Sequence, residues 1–356
     1  MNPKPENPLK IAQLICVLLI PVTLGCGVLG QLDSPTPTPP LTESQTPIIT
    51  STSPPTVTPT ATVIPTVCGA PPVMFILLIG SDARQDTYNT GLADAVRIVR
   101  VDFVEPVGIR LLPFPRDLYV EIPAIASNSG ITHGKLNQAY LYGNPGYGYY
   151  EGEGQGPGLL ARTLEYNFGA RVDHYAAVNL QTFVKIVDAL GGINVDLPYR
   201  IDGRVPKSKD FNLVFPAGNQ HLNGYRTMLL ARLRTQGDAR RIEIQNLILK
   251  ALAVKAFQPV TILRLPGLIE AFHGSVQTDL EAGAIAQLVC LTSVIDSKQI
   301  EFDAFPEALF TVGRVQDPVL GNTSILSADT ALMHQYVQNF NNGAPLVIEE
   351  GEGISP

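Results

Sequence analysis

The sequence has no tryptophan, four cysteines and five histidines, and only 16% of its 356 residues are charged. Each shortage closes off a class of function. Four cysteines are too few for a disulfide-built scaffold, and none stands in a Cys-x-x-Cys pair, so neither a zinc ribbon nor a thioredoxin-like site is encoded. The histidines are scattered without His-Glu-x-x-His spacing, which argues against a zinc hydrolase. No long Lys/Arg run occurs, and 25 Lys+Arg face 32 Asp+Glu for a formal net charge of -7. Nucleic-acid affinity draws on counterion release at a basic face, so a general nucleic-acid partner is excluded. The low charged fraction points instead to membrane attachment or export.

What is abundant is unevenly placed. From Ile11 to Gly30 no charged residue occurs and aliphatic side chains dominate, a span of about 20 residues that matches a bilayer core. Lys4 and Lys10 precede it and no basic residue follows closely. Residues 1–10 are therefore expected to stay in the cytoplasm, with 11–30 as the signal anchor of a single-pass cell-membrane protein. Thr23-Leu24-Gly25-Cys26 loosely resembles a lipoprotein cleavage box, so a lipoprotein anchored at Cys26 and plain secretion are the alternatives. All three place the rest of the chain outside the cytoplasm. Residues 31–72 are mostly Pro, Thr and Ser and cannot bury enough apolar surface to offset their ordering entropy, which predicts an extracytoplasmic spacer. Cys68 and Cys290 are the only cysteines outside the apolar span; in an oxidising exterior they are candidates for a disulfide, with two free thiols as the alternative.

A globular domain is expected over residues 73–342, followed by an acidic, disordered tail at 343–356. Residues 73–79 read as a buried strand stopped by Gly80, and 96–101 and 107–112 as further strands. Residues 159–168 and 180–190 have helical spacing, 175–178 and 193–197 are strand-like, and helices are expected from near Asn223 and over 239–257. Later come a helix capped by Asp279 and running to Cys290, a strand at 300–302 and a last helix at 328–340. Strands exchanging with helices imply an α/β fold, an α-β-α sandwich around a central mixed β-sheet.

Three clusters carry candidate chemistry. Arg226, Arg232, Arg234, Arg240 and Arg241 crowd one stretch interrupted by a single acid, Asp238. A continuous helix cannot place Arg234 on one face with both Arg232 and Arg240, so a loop over 235–237 is expected to fold the pairs toward one point. Planar, permanently charged guanidiniums suit a phosphate or pyrophosphate; a solvated helix end is the plain alternative. Gly80-Ser81-Asp82-Ala83-Arg84 follows the first strand, where α/β sheets gather ligands, and Asp94 precedes the second. Two carboxylates at one strand edge suit Mg²⁺, though Asp and Gly are also ordinary turn residues. Pro113-Phe114-Pro115-Arg116-Asp117-Leu118-Tyr119-Val120 follows the third strand, and its prolines stiffen the segment that carries Arg116. There the plain alternative is a turn in which Arg116 and Asp117 pair with neighbours. Residues 146–158 read as a mobile surface loop, with a lid contacting sugars as the alternative, His133 and His221 as structural or exposed, and Asp173 and His174 as pointing apart on a strand. The stripe of Leu247, Ile248, Ala251, Leu252 and Val254 is core packing by default and a lipid-pocket wall otherwise.

These clusters occur in order with the Lys135-Leu136-Asn137-Gln138-Ala139-Tyr140 run, the Val187-Asp188-Ala189-Leu190-Gly191-Gly192 run and the Phe215-Pro216-Ala217-Gly218 run. From about Met74 to Phe257 the chain closely resembles the LytR-CpsA-Psr family. The resemblance implies a polyprenyl chain in an apolar pocket beneath the sheet with its pyrophosphate at the mouth. It also implies transfer of a phospho-linked glycopolymer from a polyprenyl pyrophosphate carrier to a cell-wall acceptor hydroxyl, on peptidoglycan or another envelope glycan. Carried over by motif, Asp82 and Asp94 would hold Mg²⁺, and Arg84, Arg116, Arg232, Arg234, Arg241 and Gln245 would meet the pyrophosphate. Asp94, Arg116 and Arg234 fall at the catalytic positions, with Asp94 also the candidate to take the acceptor's proton.

Two departures from the family pattern stand out. Leu92 and Ile244 occupy positions that usually carry arginine, and each lost cation removes a contact worth about 1.5–3 kcal/mol. Arg97, Arg100 and Arg240 are the candidate replacements, although Arg97 and Arg100 cannot share a strand face. Two rival readings follow: a catalytically weakened polyprenyl-pyrophosphate binding module in envelope organisation or regulation, and a lipid pyrophosphatase.

Overall fold

A computed structural model describes residues 65–83, 88–204, 210–233, 238–258, 261, 265–272 and 274–346. The expected anchor, most of the spacer, Arg84, Arg234 and the end of the acidic tail lie outside the described residues. Among the described residues no helix is long and apolar enough to cross a membrane.

The chain opens with β1 (Val73–Ser81), β2 (Ala93–Asp102), β3 (Gly108–Phe114) and the short β4 (Tyr119–Glu121). Next come α1 (Ala126–Ser129), β5 (His133–Lys135), α2 (Leu136–Gly143), α3 (Gln155–Phe168) and β6 (His174–Asn179). The middle of the chain holds α4 (Leu180–Ala189), β7 (Ile193–Leu197), β8 (Ile201–Asp202), β9 (Val214–Phe215), β10 (Gly218–Leu222), α5 (Gly224–Arg232) and α6 (Asp238–Ala256). It closes with α7 (Leu265–Phe272), β11 (Gln277–Thr278), α8 (Ala282–Leu291), β12 (Ile300–Phe302), β13 (Phe310–Asp317), β14 (Gly321–Ala328) and α9 (Thr330–Asn341).

The main sheet is six-stranded and mixed, in the order β11-β6-β1-β2-β3-β12. β1 pairs antiparallel with β2 and parallel with β6, while β3 pairs antiparallel with β2 and parallel with β12. The fold is therefore α/β around a central mixed sheet. β1 runs through Gly80 to Ser81, where the sequence predicted a stop at the glycine. Gly80 serves a close approach: a Cβ there would meet the Ala95 Cβ at 3.1 Å.

Side-chain alternation along β1 and β2 separates the two faces of the sheet. Phe75, Leu77, Ile79, Val96 and Ile98 pack with residues of α2, α3 and α9, including Leu136, Tyr140, Leu160, Leu164, Val337 and Phe340. Met74, Ile76, Val101 and Phe103 pack on the other face with Leu291 and Ile295. A further apolar cluster joins α4, β7, β10, α5 and α6 through Val187, Ile193, Leu222, Leu230, Ile244 and Ile248. Cys68 and Cys290 form a disulfide, Cα–Cα 5.8 Å, that ties the start of the domain to α8.

Helix starts follow side-chain capping, in which an Asn or Asp oxygen satisfies an otherwise unpaired N–H of the first turn. Asn179 accepts from Thr182 N, Asn223 from Arg226 N and Asp329 from Leu332 N. Asp279 departs from its expected role. α8 starts at Ala282 behind Glu281, and Asp279 instead accepts from the backbone N–H of Tyr175 on β6.

Candidate functional site

β1 and β2 keep simple register until Gly80 opposite Ala95; the next pair is Ser81 opposite Ala93. Asp94 is thus one extra residue on β2, a bulge of the kind that re-aims a side chain at a sheet end. Asp94 and Ala95 consequently line a cavity of about 270 Å³ together with Arg97, Arg232, Arg241 and Gln245. The remaining wall is largely apolar and includes Leu78, Val178, Phe183, Ile186, Met228 and Leu252.

α6 supplies one continuous wall of that cavity. Arg241, Gln245, Ile248 and Leu252 all line it, and their spacing of four, three and four puts them on one helix face. The stripe runs about 16 Å along the axis and passes from cationic to amide to aliphatic side chains. α5 ends at Arg232, Leu233 is extended and α6 begins at Asp238, while the loop expected over 235–237 lies outside the described residues.

A cleft beside the cavity is lined by Asp94, Arg97, Pro113, Phe114, Pro115, Arg116, Arg241 and Gln245. Arg116 therefore joins the same cluster from the end of β3. Its Nη1 donates to Asp94 Oδ1, and its Nε lies 3.2 Å from Asp117 Oδ2. Asp117 also holds Lys135 Nζ at 3.0 Å, so the pairing of Arg116 with its neighbour and its presence at the site are both features of this segment. Arg241, 6% exposed, donates from Nη2 to the Asp94 carbonyl oxygen at 3.4 Å.

Asp82 is one residue beyond the cavity-lining Ser81, and its Oδ1 accepts from Leu92 N at 2.6 Å. That bond lies just beyond the Ser81–Ala93 pair, and Asp82, unlike Asp94, does not line the cavity. The bond uses the backbone of Leu92, which makes no demand on the side chain at that position. Among the described residues no group of three His, Cys, Asp or Glu gathers to hold a metal ion.

The candidate replacements for the departed arginines separate clearly. Arg97 points into the cavity. Arg100, three residues on, faces the other side of the sheet, where it pairs with Asp102 and donates to carbonyl oxygens of Phe340 and Asn341. Arg240 is exposed, pairs with Glu243 at 2.9 Å and lies over the Tyr199 ring. Arg226 likewise belongs to structure: it donates to the carbonyls of Phe211, Asn212 and Val214 and stacks on Phe215. Ile244 is 5% exposed in the apolar cluster behind α6. Burial, with the charge of Arg241 as a lesser cause, pushes the Arg97 guanidinium down to about 10, so it stays charged near neutral pH. Asn246, whose Oδ1 accepts from Arg97 Nη2 at 2.9 Å, was not legible as part of the site, because an Asn within a helix carries no signal of its own. Asp173 and His174 diverge as expected, Asp173 to the backbone of Phe75 and His174 toward Asp279.

MsrR, a regulatory protein of Staphylococcus aureus, is 28% identical over 216 residues, 60% of this chain and 58% of that protein. The chain thus spans less than two thirds of the length of that relative. A polyisoprenyl-teichoic acid–peptidoglycan teichoic acid transferase of Halalkalibacterium halodurans, TagU, is also 28% identical over 216 residues, 60% of this chain and 63% of that protein. The crystal structure of Bacillus subtilis TagV superposes with a TM-score of 0.58 at 23% identity, over 77% of this chain and 98% of that one, a likeness of fold. The sequence model of the LytR_cpsA_psr family matches residues 70–341, and the chain belongs to that family.

Proposed function

We propose that this protein transfers a phospho-linked glycopolymer from a polyprenyl pyrophosphate carrier to a hydroxyl of a cell-wall glycan. The observation that carries the proposal is the single cavity whose wall changes along α6 from Arg241 and Gln245 to Ile248 and Leu252, with Asp94, Arg97 and Arg232 beside its cationic part. An isoprenoid needs the aliphatic part and a pyrophosphate the cationic part. The TagU relative, a polyisoprenyl-teichoic acid–peptidoglycan teichoic acid transferase, supports the reaction class.

Phosphoryl transfer is largely positioning and charge stabilisation. Arg116, Arg232 and Arg241 bind and neutralise the pyrophosphate, with Arg84 and Arg234 proposed from motif to join them. The acceptor oxygen bonds to the glycan-side phosphorus as the phosphorus–oxygen bond to the lipid phosphate breaks, and the lipid monophosphate leaves with the electron pair. The acceptor proton passes to Asp94; a loose transition state leaves that proton in place until late, so a carboxylate suffices. Asp94 lines the cavity and Asp82 stands just beyond it; carried over by motif, these two hard oxygen donors would hold Mg²⁺ only with phosphate and water completing its shell, since two carboxylates alone are too few. The ion would supply further charge stabilisation on the phosphate oxygens.

The Cys68–Cys290 disulfide supports an oxidising compartment, consistent with an anchor at residues 11–30 and a domain on the outer face of the cell membrane. The test is an in vitro reaction with a lipid-linked glycan donor and a peptidoglycan acceptor. Transfer that falls at least about 100-fold in Asp94→Ala is expected. No transfer by the wild type overturns the proposal, and phosphate release without an acceptor would identify a pyrophosphatase instead.

A further inference from the structure

Arg97 lies within β2, 3% exposed, on the wall of the cavity. Among the described residues no carboxylate pairs with it. Nη1 donates to Gln245 Oε1 at 3.2 Å and Nη2 to Asn246 Oδ1 at 2.9 Å, while the buried Nε has no acceptor. Amide oxygens orient a guanidinium but leave its charge uncompensated. A second buried guanidinium, that of Arg241, stands near enough to disfavour the charge further. Burying such a charge without a counter-ion is strongly destabilising, and the arrangement makes physical sense where an anion enters to neutralise it.

Gln245 is committed at both ends of its amide. Oε1 accepts from Arg97, and Nε2 donates to the Ala231 carbonyl at 3.2 Å. The family resemblance set Gln245 against the head group; its bonds here set it against Arg97. Arg100 and Arg240 are held elsewhere, so Arg97 is the candidate replacement that reaches the cavity.

We infer that Arg97 is itself a ligand of the anionic head group, replacing the cation absent at Leu92, and that Gln245 is a positioning residue acting through it. The inference rests on the lipid-pyrophosphate reading above.

The test titrates the full chain in detergent micelles with geranylgeranyl pyrophosphate and with geranylgeraniol, and records the melting temperature without ligand. Arg97→Met is expected to lower pyrophosphate affinity roughly 10- to 100-fold and leave the alcohol's affinity unchanged. It should also raise the ligand-free melting temperature by about 2–4 °C, because it removes the uncompensated charge. Gln245→Glu supplies an internal counter-ion, so it should also raise the melting temperature while weakening the pyrophosphate lipid. A merely structural Arg97 gives the reverse: lower melting temperatures in Arg97→Met, with both ligands weakened together. Equal pyrophosphate affinity in wild type and Arg97→Met overturns the inference and leaves the transfer reaction standing. Loss in Arg97→Met upholds it whether or not the wild type turns over, so the two failures read separately. A wild type that binds no pyrophosphate lipid overturns both.

Discussion

Asp94 shows how much one residue of register decides. In a strand without the bulge, adjacent side chains would alternate between the helix-packed face and the cavity. The extra residue lets Asp94 reach Arg116 and line the cavity while Ala93 remains in the core. The two departures from the family pattern also differ at this scale. Leu92 is half-buried in the turn and is used there through its backbone, so Leu92→Arg should fold normally and, because Arg97 already supplies the cation in the wild type, raise transfer by roughly tenfold when introduced into Arg97→Met, the worth of one charge-assisted contact. Ile244→Arg buries an unpaired charge in the apolar cluster and should cost at least about 3 kcal/mol, read from urea unfolding, without any gain in transfer. The arginine motif made the first position legible as a site residue; only packing shows that the second is core.

Among the elements, α6 carries the division between head group and tail. Its 247–254 stripe read as core packing by default, and the structure divides it: Ile248 and Leu252 belong both to the apolar cluster and to the cavity wall, Leu247 and Ala251 pack with the cluster without lining the cavity, and Val254 is exposed. Leu252→Trp should fill the aliphatic part and lower affinity for geranylgeranyl pyrophosphate at least about tenfold, with inorganic pyrophosphate binding unchanged, as measured by calorimetry. The β13–β14 hairpin was not legible at all. Polar residues and Gly313 weaken its alternation, and its order comes from pairing with itself and from Leu326 N donating to the Asp117 carbonyl at 2.9 Å. That contact braces the segment bearing Arg116.

For the whole molecule, the disulfide joins residues 222 positions apart and closes most of the domain into one loop. Cys290→Ser should lower stability by about 2–5 kcal/mol, seen as a lower midpoint in urea under oxidising conditions and as no difference from wild type once both are reduced. The cavity lies against α4, α5 and α6, whereas Cys290 is on α8, so lipid affinity below the unfolding midpoint should be unchanged. The net charge of -7 belongs to the whole chain and hides this local arrangement, in which Arg97, Arg116, Arg232 and Arg241 meet around Asp94.

By itself the sequence determined the α/β alternation, the helix starts at Leu180 and near Asn223, and the family, because strand and helix periods and ordered motifs are local properties of a chain. Tertiary structure alone decided that Arg97 enters the cavity while Arg226 and Arg240 do not, that Ile244 is core, and that Gln245 faces Arg97. Those outcomes depend on a bulge, on strand pairing and on which helix face meets the sheet, and such contacts between distant residues leave no mark in the spacing of either partner.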